Sequence, residues 1–171
     1  SSWKSLRANL AGSPSELRIE QGTLEPANQG QIHFDFATSL SKWSFENSSN
    51  FRASLNASKV SAAELAKAAG VTTPVTGDLT VDVTARGTPS APLGHGTVHL
   101  GTSKIAGEPL RSADLKFEGN GSQVTGNLQV ELPSAGSATA TVEYQPKPQA
   151  YKVTLRAVGI KLDQLETLKS R

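Results

Sequence analysis

The chain has 171 residues, of which 36% are hydrophobic and only 5% aromatic, and this length accommodates one sizeable core or two small modules. Its 17 Lys and Arg and 15 Asp and Glu are spread along the sequence, so it lacks the basic patch typical of nucleic-acid binding. The absence of cysteine excludes disulfides and cysteine nucleophiles, and no apolar run reaches the roughly 18 residues of a membrane-spanning helix.

Alternating apolar and polar residues predict half-buried β-strands along most of the chain. Gly, Pro or Asn bounds each of these runs, and the short spacing between neighbouring runs predicts antiparallel meanders. In chain order, the runs cover residues 32–36, 51–57, 79–85, 98–100, 115–117, 124–132, 138–144 and 151–157.

Two segments depart from this alternation and predict short helices. Residues 62–69 are rich in Ala and begin with a capping box formed by Ser61 and Glu64. Near the end of the chain, Leu162, Leu165 and Leu168 recur at helical spacing. The fold class predicted from these patterns is all-β, an extended sheet of antiparallel meander strands with two short helices.

An internal repeat of about a hundred residues divides the chain. The strand and helix that begin at Phe51 match those that begin at Tyr151, and strands opening at Gly30 and Gly136 precede them. We place an incomplete first β repeat at 1–70 and a fuller second one at 71–171, each ending in a short helix. Because stacked repeats bury one another's faces, their terminal edges depend on neighbours, and we predict an edge-strand dimer.

The ionisable residues form no catalytic or metal-binding pattern. His95 and His99 are four residues apart, as are Asp78 and Asp82, so each pair is separated by about 13 Å on a strand. Zinc ligands lie about 2 Å from the metal, and no serine lies in a Gly-x-Ser-x-Gly sequence. We therefore predict a protein that is not an enzyme and that needs neither a metal nor a cofactor.

Between Gly77 and Leu132, the order of the sequence elements is a more specific family signal than any single element. A strand that follows Gly77 leads to Gly-Thr-x-x-x-Pro at 87–92, to a second strand opening at Gly96, and to an Ile-x-Gly-x-Pro-Leu turn at 105–110. In this order the chain resembles the AsmA-like and TamB-like repeat proteins of the bacterial envelope. The resemblance is strongest from Phe51 onward.

This resemblance implies a fold, a location and a set of partners. Such proteins are anchored in the inner membrane, and their long periplasmic β structure forms a curved, U-shaped (taco-like) trough. Its apolar inner face is thought to carry acyl chains between the inner and outer membranes. We therefore expect a periplasmic segment of a longer protein, anchored by a part absent here, with phospholipid or another acyl lipid as partner. Outer-membrane β-barrel assembly proteins are expected to bind through other parts, and nucleic acid is not expected.

The alternating apolar rows are the candidate site, and they allow two interpretations: a trough open to lipid or the closed core of a β-sandwich binding module. An alternative function is a structural spacer or assembly factor whose exposed edges pair with client β-strands. For the trough, the candidate lining residues are Leu79, Val81, Val83, Val98, Leu100, Leu115, Phe117, Leu128, Val130, Val153 and Leu155.

Overall fold

The computed structural model describes residues 3–27, 29–68, 70–133 and 136–159. Strands make up 72% of the described residues, which confirms the all-β prediction. The elements are, in chain order, β1 (Trp3–Ser13), β2 (Glu16–Pro26), β3 (Gln31–Ser39), β4 (Phe51–Ser61), α1 (Ala62–Ala68), β5 (Val75–Thr76), β6 (Asp78–Thr88), β7 (Ala91–Leu100), β8 (Ser103–Ile105), β9 (Glu108–Leu110), β10 (Ser112–Asn120), β11 (Val124–Leu132), β12 (Gly136–Gln145) and β13 (Ala150–Val158).

Ten of these strands form one antiparallel sheet in the order β1-β2-β3-β4-β6-β7-β10-β11-β12-β13, which is also their order along the chain. The sheet does not close on itself, so β1 and β13 are its two edges. This arrangement confirms the predicted extended meander. The remaining strands, β5, β8 and β9, form a separate three-stranded sheet.

The connections between strands give the sheet two different ends. At one end, called here the helix end, α1 and β5 connect β4 to β6, and β8 and β9 connect β7 to β10. The opposite end, called the loop end, carries the turns after β1, β6, β10 and β12 and the longer loop after β3. The predicted helix at 62–69 is confirmed over Ala62–Ala68, whereas the predicted helix around Leu165 lies outside the described residues.

The predicted boundary between the two repeats falls inside a continuous sheet. Strand β4, assigned to the first repeat, pairs directly with β6 of the second. The intervening residues 72–77 include β5, which pairs with β8 of the small sheet. The division into repeats at 1–70 and 71–171 remains a prediction.

Register shifts interrupt the pairing of β1, β2 and β4, and those in β2 and β4 contain a non-glycine residue with a positive φ. In β2 two residues, including Gln21 with a φ of 54°, lie opposite Asp35, whose Oδ1 accepts a 2.8 Å hydrogen bond from the Gln21 N–H. In β4 the bulge contains Lys59, with a φ of 49°. Because a bulge adds one residue to a strand, apolar side chains three positions apart then point to the same face. The bulge at Lys59 thus directs both Ala57 and Val60 into the core.

The core is small and lies on one face of the middle strands, toward the helix end. Its buried residues are Ile32, Ala57, Val60 and Val81. Leu65 of α1 packs against this cluster from the helix end, and Trp3 of β1 also contacts it. Full burial of a Val or Ile side chain stabilises a fold by about 1.5–3 kcal/mol, so Ile32, Val60 and Val81 each contribute an amount of this order.

Candidate functional site: an apolar sheet face

The pairing register aligns apolar residues across the whole sheet. Directly opposite residues in neighbouring strands share a face, so a chain of such partners forms a cross-strand row. One row crosses all ten strands and contains only Leu, Ile, Val and Ala. We call it the central apolar row: Leu6, Leu24, Ile32, Ala57, Val81, Val98, Leu115, Leu128, Ala140 and Leu155.

Parallel rows on the same face are also apolar or contain glycine. On the side of the helix end lies the helix-side row: Val60, Leu79, Leu100, Ala113, Val130, Ala138 and Ala157. Next to the central row, toward the loop end, lies the glycine-aromatic row: Gly22, Phe34, Leu55, Val83, Gly96, Phe117, Gly126, Val142 and Val153.

A further row, still closer to the loop end, again crosses all ten strands. We call it the loop-side row: Leu10, Ile19, Phe36, Ala53, Ala85, Gly94, Gly119, Val124, Tyr144 and Tyr151. All eleven candidate lining residues belong to the helix-side, central and glycine-aromatic rows. The structure therefore places every one of them on a single face, called here the apolar face.

The opposite face of the sheet is polar. The row that alternates with the central and glycine-aromatic rows consists of Arg7, Thr23, His33, Asn56, Asp82, Thr97, Lys116, Asn127, Thr141 and Thr154. Several members are hydrogen-bonded to each other: Thr141 Oγ1 donates to Asn127 Oδ1 at 2.9 Å, and Asn56 Nδ2 donates to Asp82 Oδ2 at 3.1 Å. The sheet is thus amphipathic across its full width.

Exposure of the apolar face rises from the middle strands to the last strands. In the central row Ala57 is 2% exposed and Val81 8%, whereas Leu128 is 36% exposed and Leu155 72%. Among the eleven candidates, Val81 and Leu100 are buried and belong to the core, and six are half-buried. The three that are exposed, Leu128, Val153 and Leu155, all lie in β11 and β13.

Glycines let aromatic rings lie flat on this face. A Cβ added to Gly22 would come within 2.6 Å of Cε2 of Phe34, and one added to Gly96 would lie 2.6 Å from Cε1 of Phe117. Each ring therefore occupies the space that a side chain on the neighbouring strand would fill. The rings cover glycine backbone instead of standing away from the sheet, which keeps the face shallow beside the central row.

The apolar face is large compared with one lipid chain. The central row takes nine steps between neighbouring strands, which corresponds to about 43 Å at about 4.8 Å per step. The four rows extend over about 20 Å along the strands. One leaflet of a bilayer contributes about half of its ~30 Å hydrocarbon core, so the face exceeds an acyl chain in both directions.

Different segments lie at the two ends of the sheet. At the helix end, Leu110 of the small sheet and Leu100 are buried. At the loop end, Asn47 and Ser48 line a single cavity together with Ser90 and the turn at 146–149. The loop that contains Asn47 connects β3 to β4, and the turn at 146–149 connects β12 to β13. In a flat sheet these two strand pairs would lie about 29 Å apart, so the shared cavity requires the sheet to curve.

The ionisable groups lie mainly on the polar face and do not converge. His99 Nδ1 and Asp114 Oδ1 are 2.6 Å apart, and both side chains are about half exposed. Glu16 accepts a 2.6 Å hydrogen bond from Arg18 Nε, and this bond raises the pKa of Arg18 above its ordinary value. Within the described ranges, no group of three His, Asp or Glu residues is placed to hold a metal ion.

The described part of the chain contains no helix that is both long and apolar enough to cross a membrane. Comparison with protein-family models, curated proteins and solved structures finds no match to this chain. The resemblance to AsmA-like and TamB-like proteins therefore stays a prediction, and function has to be argued from the geometry of the apolar face.

The structure adds residues to this face that the sequence patterns did not reveal. Leu6 and Leu10 lie in β1, which was not predicted as a strand, whereas Leu24 lies in β2, of which the sequence predicts only the end, at Leu24 and Pro26. A register shift between Trp3 and Ser5 separates Trp3 from Leu6 by three residues, and Ala8 lies between Leu6 and Leu10, which are four apart. That spacing is typical of a helix, and only the pairing with β2 reveals the common face.

Proposed function

We propose that the chain is a non-enzymatic β-sheet module that binds lipid acyl chains along its apolar face, in the periplasm of a bacterial envelope. The observation that carries this proposal is the central apolar row, which runs unbroken across ten strands and becomes exposed toward β13. Soluble monomers rarely expose contiguous apolar patches of this kind, and such patches mark sites for lipids, ligands or partners. As part of a longer protein, the module would conduct lipids between membranes or aid outer-membrane assembly.

Acyl chains fit the chemistry of this face. The rows provide Leu, Val, Ala and flat aromatic rings without a charged side chain among them, and hydrophobic attraction needs no directional partner. Each buried methylene group contributes about 0.8 kcal/mol, so a chain covered over most of its length is held without hydrogen bonds. The polar face meanwhile keeps the module in water.

The exposed part of the face in β11 to β13, three of the ten strands, is the binding region. Here Leu128, Val142, Val153 and Leu155 are 36%, 41%, 58% and 72% exposed, and among the described residues no second sheet covers them. In the middle strands the same rows are filled by the core and by Leu65 of α1. A lipid chain therefore enters beside β13 and extends toward the core.

The experiment uses two pairs of matched variants. Leu128→Asp and Val142→Asp add a charge to the exposed part of the apolar face. Asn127→Asp and Thr141→Asp add the same charge to the polar face, one residue away in each strand. Purified, delipidated protein is mixed with dioleoyl phosphatidylethanolamine and dioleoyl phosphatidylglycerol, and bound lipid is counted by native mass spectrometry while unfolding is followed by circular dichroism.

We expect the wild type and the two polar-face variants to bind lipid, and the two apolar-face variants to bind at least tenfold less lipid. All five proteins should unfold at similar temperatures, because every substituted side chain is more than one-third exposed or lies on the polar face. A wild type that binds no lipid, or equal binding by Leu128→Asp and Asn127→Asp, would refute the proposal.

A second candidate function, pairing with client β-strands, is favoured by one observation. All nine residues of β13 are exposed, and among the described strands this strand pairs with β12 alone. Free edges recruit extended segments by hydrogen bonding of the main chain. In β13, successive residues point their N–H groups alternately toward β12 and away from it. Proline removes one of these N–H groups, so Val153→Pro and Thr154→Pro should weaken client binding to different extents.

A further inference from the structure

Within the part of the chain that the structure describes, β1 and β13 each pair on one side only, and both carry exposed apolar side chains. In β1, Leu6 is 66% and Leu10 71% exposed; in β13, Tyr151 is 78% and Leu155 72% exposed. Unpaired edge strands with apolar residues are the common starting point for pairing between chains. Pairing between the two edges requires that their apolar residues align.

The apolar rows at the two edges align in one register. The central row begins at Leu6 and ends at Leu155, and the loop-side row begins at Leu10 and ends at Tyr151. The two rows are thus four residues apart on each edge, with opposite directions along the chain. If β1 of a second copy lies antiparallel to β13, one register sets Leu155 opposite Leu6 and Tyr151 opposite Leu10. In this register both rows continue from one copy into the next.

The backbone hydrogen bonds are compatible with that register. In an antiparallel sheet, hydrogen-bonded and non-hydrogen-bonded pairs alternate along a cross-strand row, because each residue directs its N–H and C=O toward one neighbour only. Ten strands give nine pairs per row, so the first and last pairs are of the same kind. Leu6 and Leu155 therefore either both point their backbone groups outward or both point them inward, as a regular tenth pair requires.

The polar residues also fit. The same register sets Arg7 opposite Thr154, Asn9 opposite Lys152 and Ser5 opposite Arg156, so no two like charges lie directly across from each other. Like charges in that position destabilise a strand pair. The irregular pairing of β1 near Trp3 limits the regular contact to residues 5–11 of one copy and 150–156 of the next.

We infer that copies of this chain associate head to tail, with β13 of one copy pairing antiparallel to β1 of the next and Leu155 opposite Leu6. The contact joins two different edges, so each added copy leaves one β1 and one β13 free. Association of this kind does not close and produces a growing series of oligomers. The apolar face of each copy becomes continuous with that of its neighbour.

The test uses the fact that the chain contains no cysteine. Arg7→Cys and Thr154→Cys, each in a separate copy, introduce exposed thiols on the polar face at the inferred pair. Directly opposite residues in antiparallel strands have Cα atoms about 4.5–5.5 Å apart, which suits a disulfide. The control replaces Thr154→Cys by Lys152→Cys, which lies on the same strand and face but two residues out of register.

The two variants are mixed, oxidised under identical mild conditions and analysed by mass spectrometry, with wild-type assembly followed by sedimentation velocity. We expect at least tenfold more mixed disulfide from Arg7→Cys with Thr154→Cys than from the control pair, and wild-type oligomers that grow beyond dimers with concentration. Three results would overturn the inference: equal cross-linking by both pairs, a predominant Thr154→Cys homodimer from symmetric β13 pairing, or a wild type that stays monomeric without mixed disulfide.

Discussion

Two stretches of the central apolar row have similar residues but very different surroundings. In β3, β4 and β6 the row is buried, with Ala57 only 2% exposed and Val81 8% exposed. In β13, at the other end of the same row, Leu155 is 72% exposed. The middle strands are paired on both sides and are covered by Leu65 of α1, whereas β13 is paired on one side among the strands that the structure describes. An identical pattern of residues therefore supports the fold in one region and remains available for binding in another.

The largest expected effect comes from placing the same charge in both stretches. Val81→Asp buries a carboxylate without a partner, which costs about 3–5 kcal/mol. Leu155→Asp leaves the charge in water and should change stability by no more than about 0.5 kcal/mol. Urea unfolding followed by circular dichroism measures both, and similar losses in the two variants would show that the row is not divided in this way.

A smaller effect is expected where a ring lies over a glycine. Gly96 is buried, and a Cβ there would lie 2.6 Å from Cε1 of Phe117, so Gly96→Ala should destabilise by about 1–3 kcal/mol through overpacking. Gly101→Ala is the control, since a Cβ at Gly101 meets no atom within 4 Å. We expect that control to be neutral or slightly stabilising.

The double variant Gly96→Ala with Phe117→Leu separates ring packing from backbone effects. If the clash with the ring is the cause, the shorter side chain should recover part of the stability lost in Gly96→Ala. Equal unfolding free energies for Gly96→Ala and Gly101→Ala would mean that the ring does not occupy the space above Gly96.

Much of this fold is predictable from period-two alternation, because a strand with one apolar face needs no other signal. Residues 79–85 illustrate this: the alternation sets Leu79, Val81 and Val83 on one face, and the structure places them there. The exposure of each residue is not predictable in the same way. Val81 and Val153 look alike in sequence, and only the strand order shows that the first is central and the second lies at an edge.

The bulges account for the part of the fold that alternation misses. Irregular pairing in β1 and the bulge at Gln21 in β2 shift the spacing of residues on one face from two to three, as between Trp3 and Leu6 and between Ile19 and Gly22. A positive φ at a Gln or Lys residue leaves no mark in the sequence, unlike one at Gly. The continuity of the central row across ten strands likewise depends on the register of nine strand pairs, which turn lengths and bulges fix together.

The last and smallest effect concerns the bulge that buries Val60, a side chain with 0% exposure. Lys59 has a φ of 49°, which costs a residue with a Cβ about 1–2 kcal/mol, whereas glycine in a strand costs about 0.5–1 kcal/mol in entropy. Lys59→Gly should therefore be neutral or stabilise the protein by up to about 1.5 kcal/mol. Arg52→Gly, in a regularly paired part of β4, should destabilise it by about 0.5–1 kcal/mol. Equal losses in urea unfolding would mean that Lys59 carries no strain, and that the bulge positions Val60 without a backbone cost.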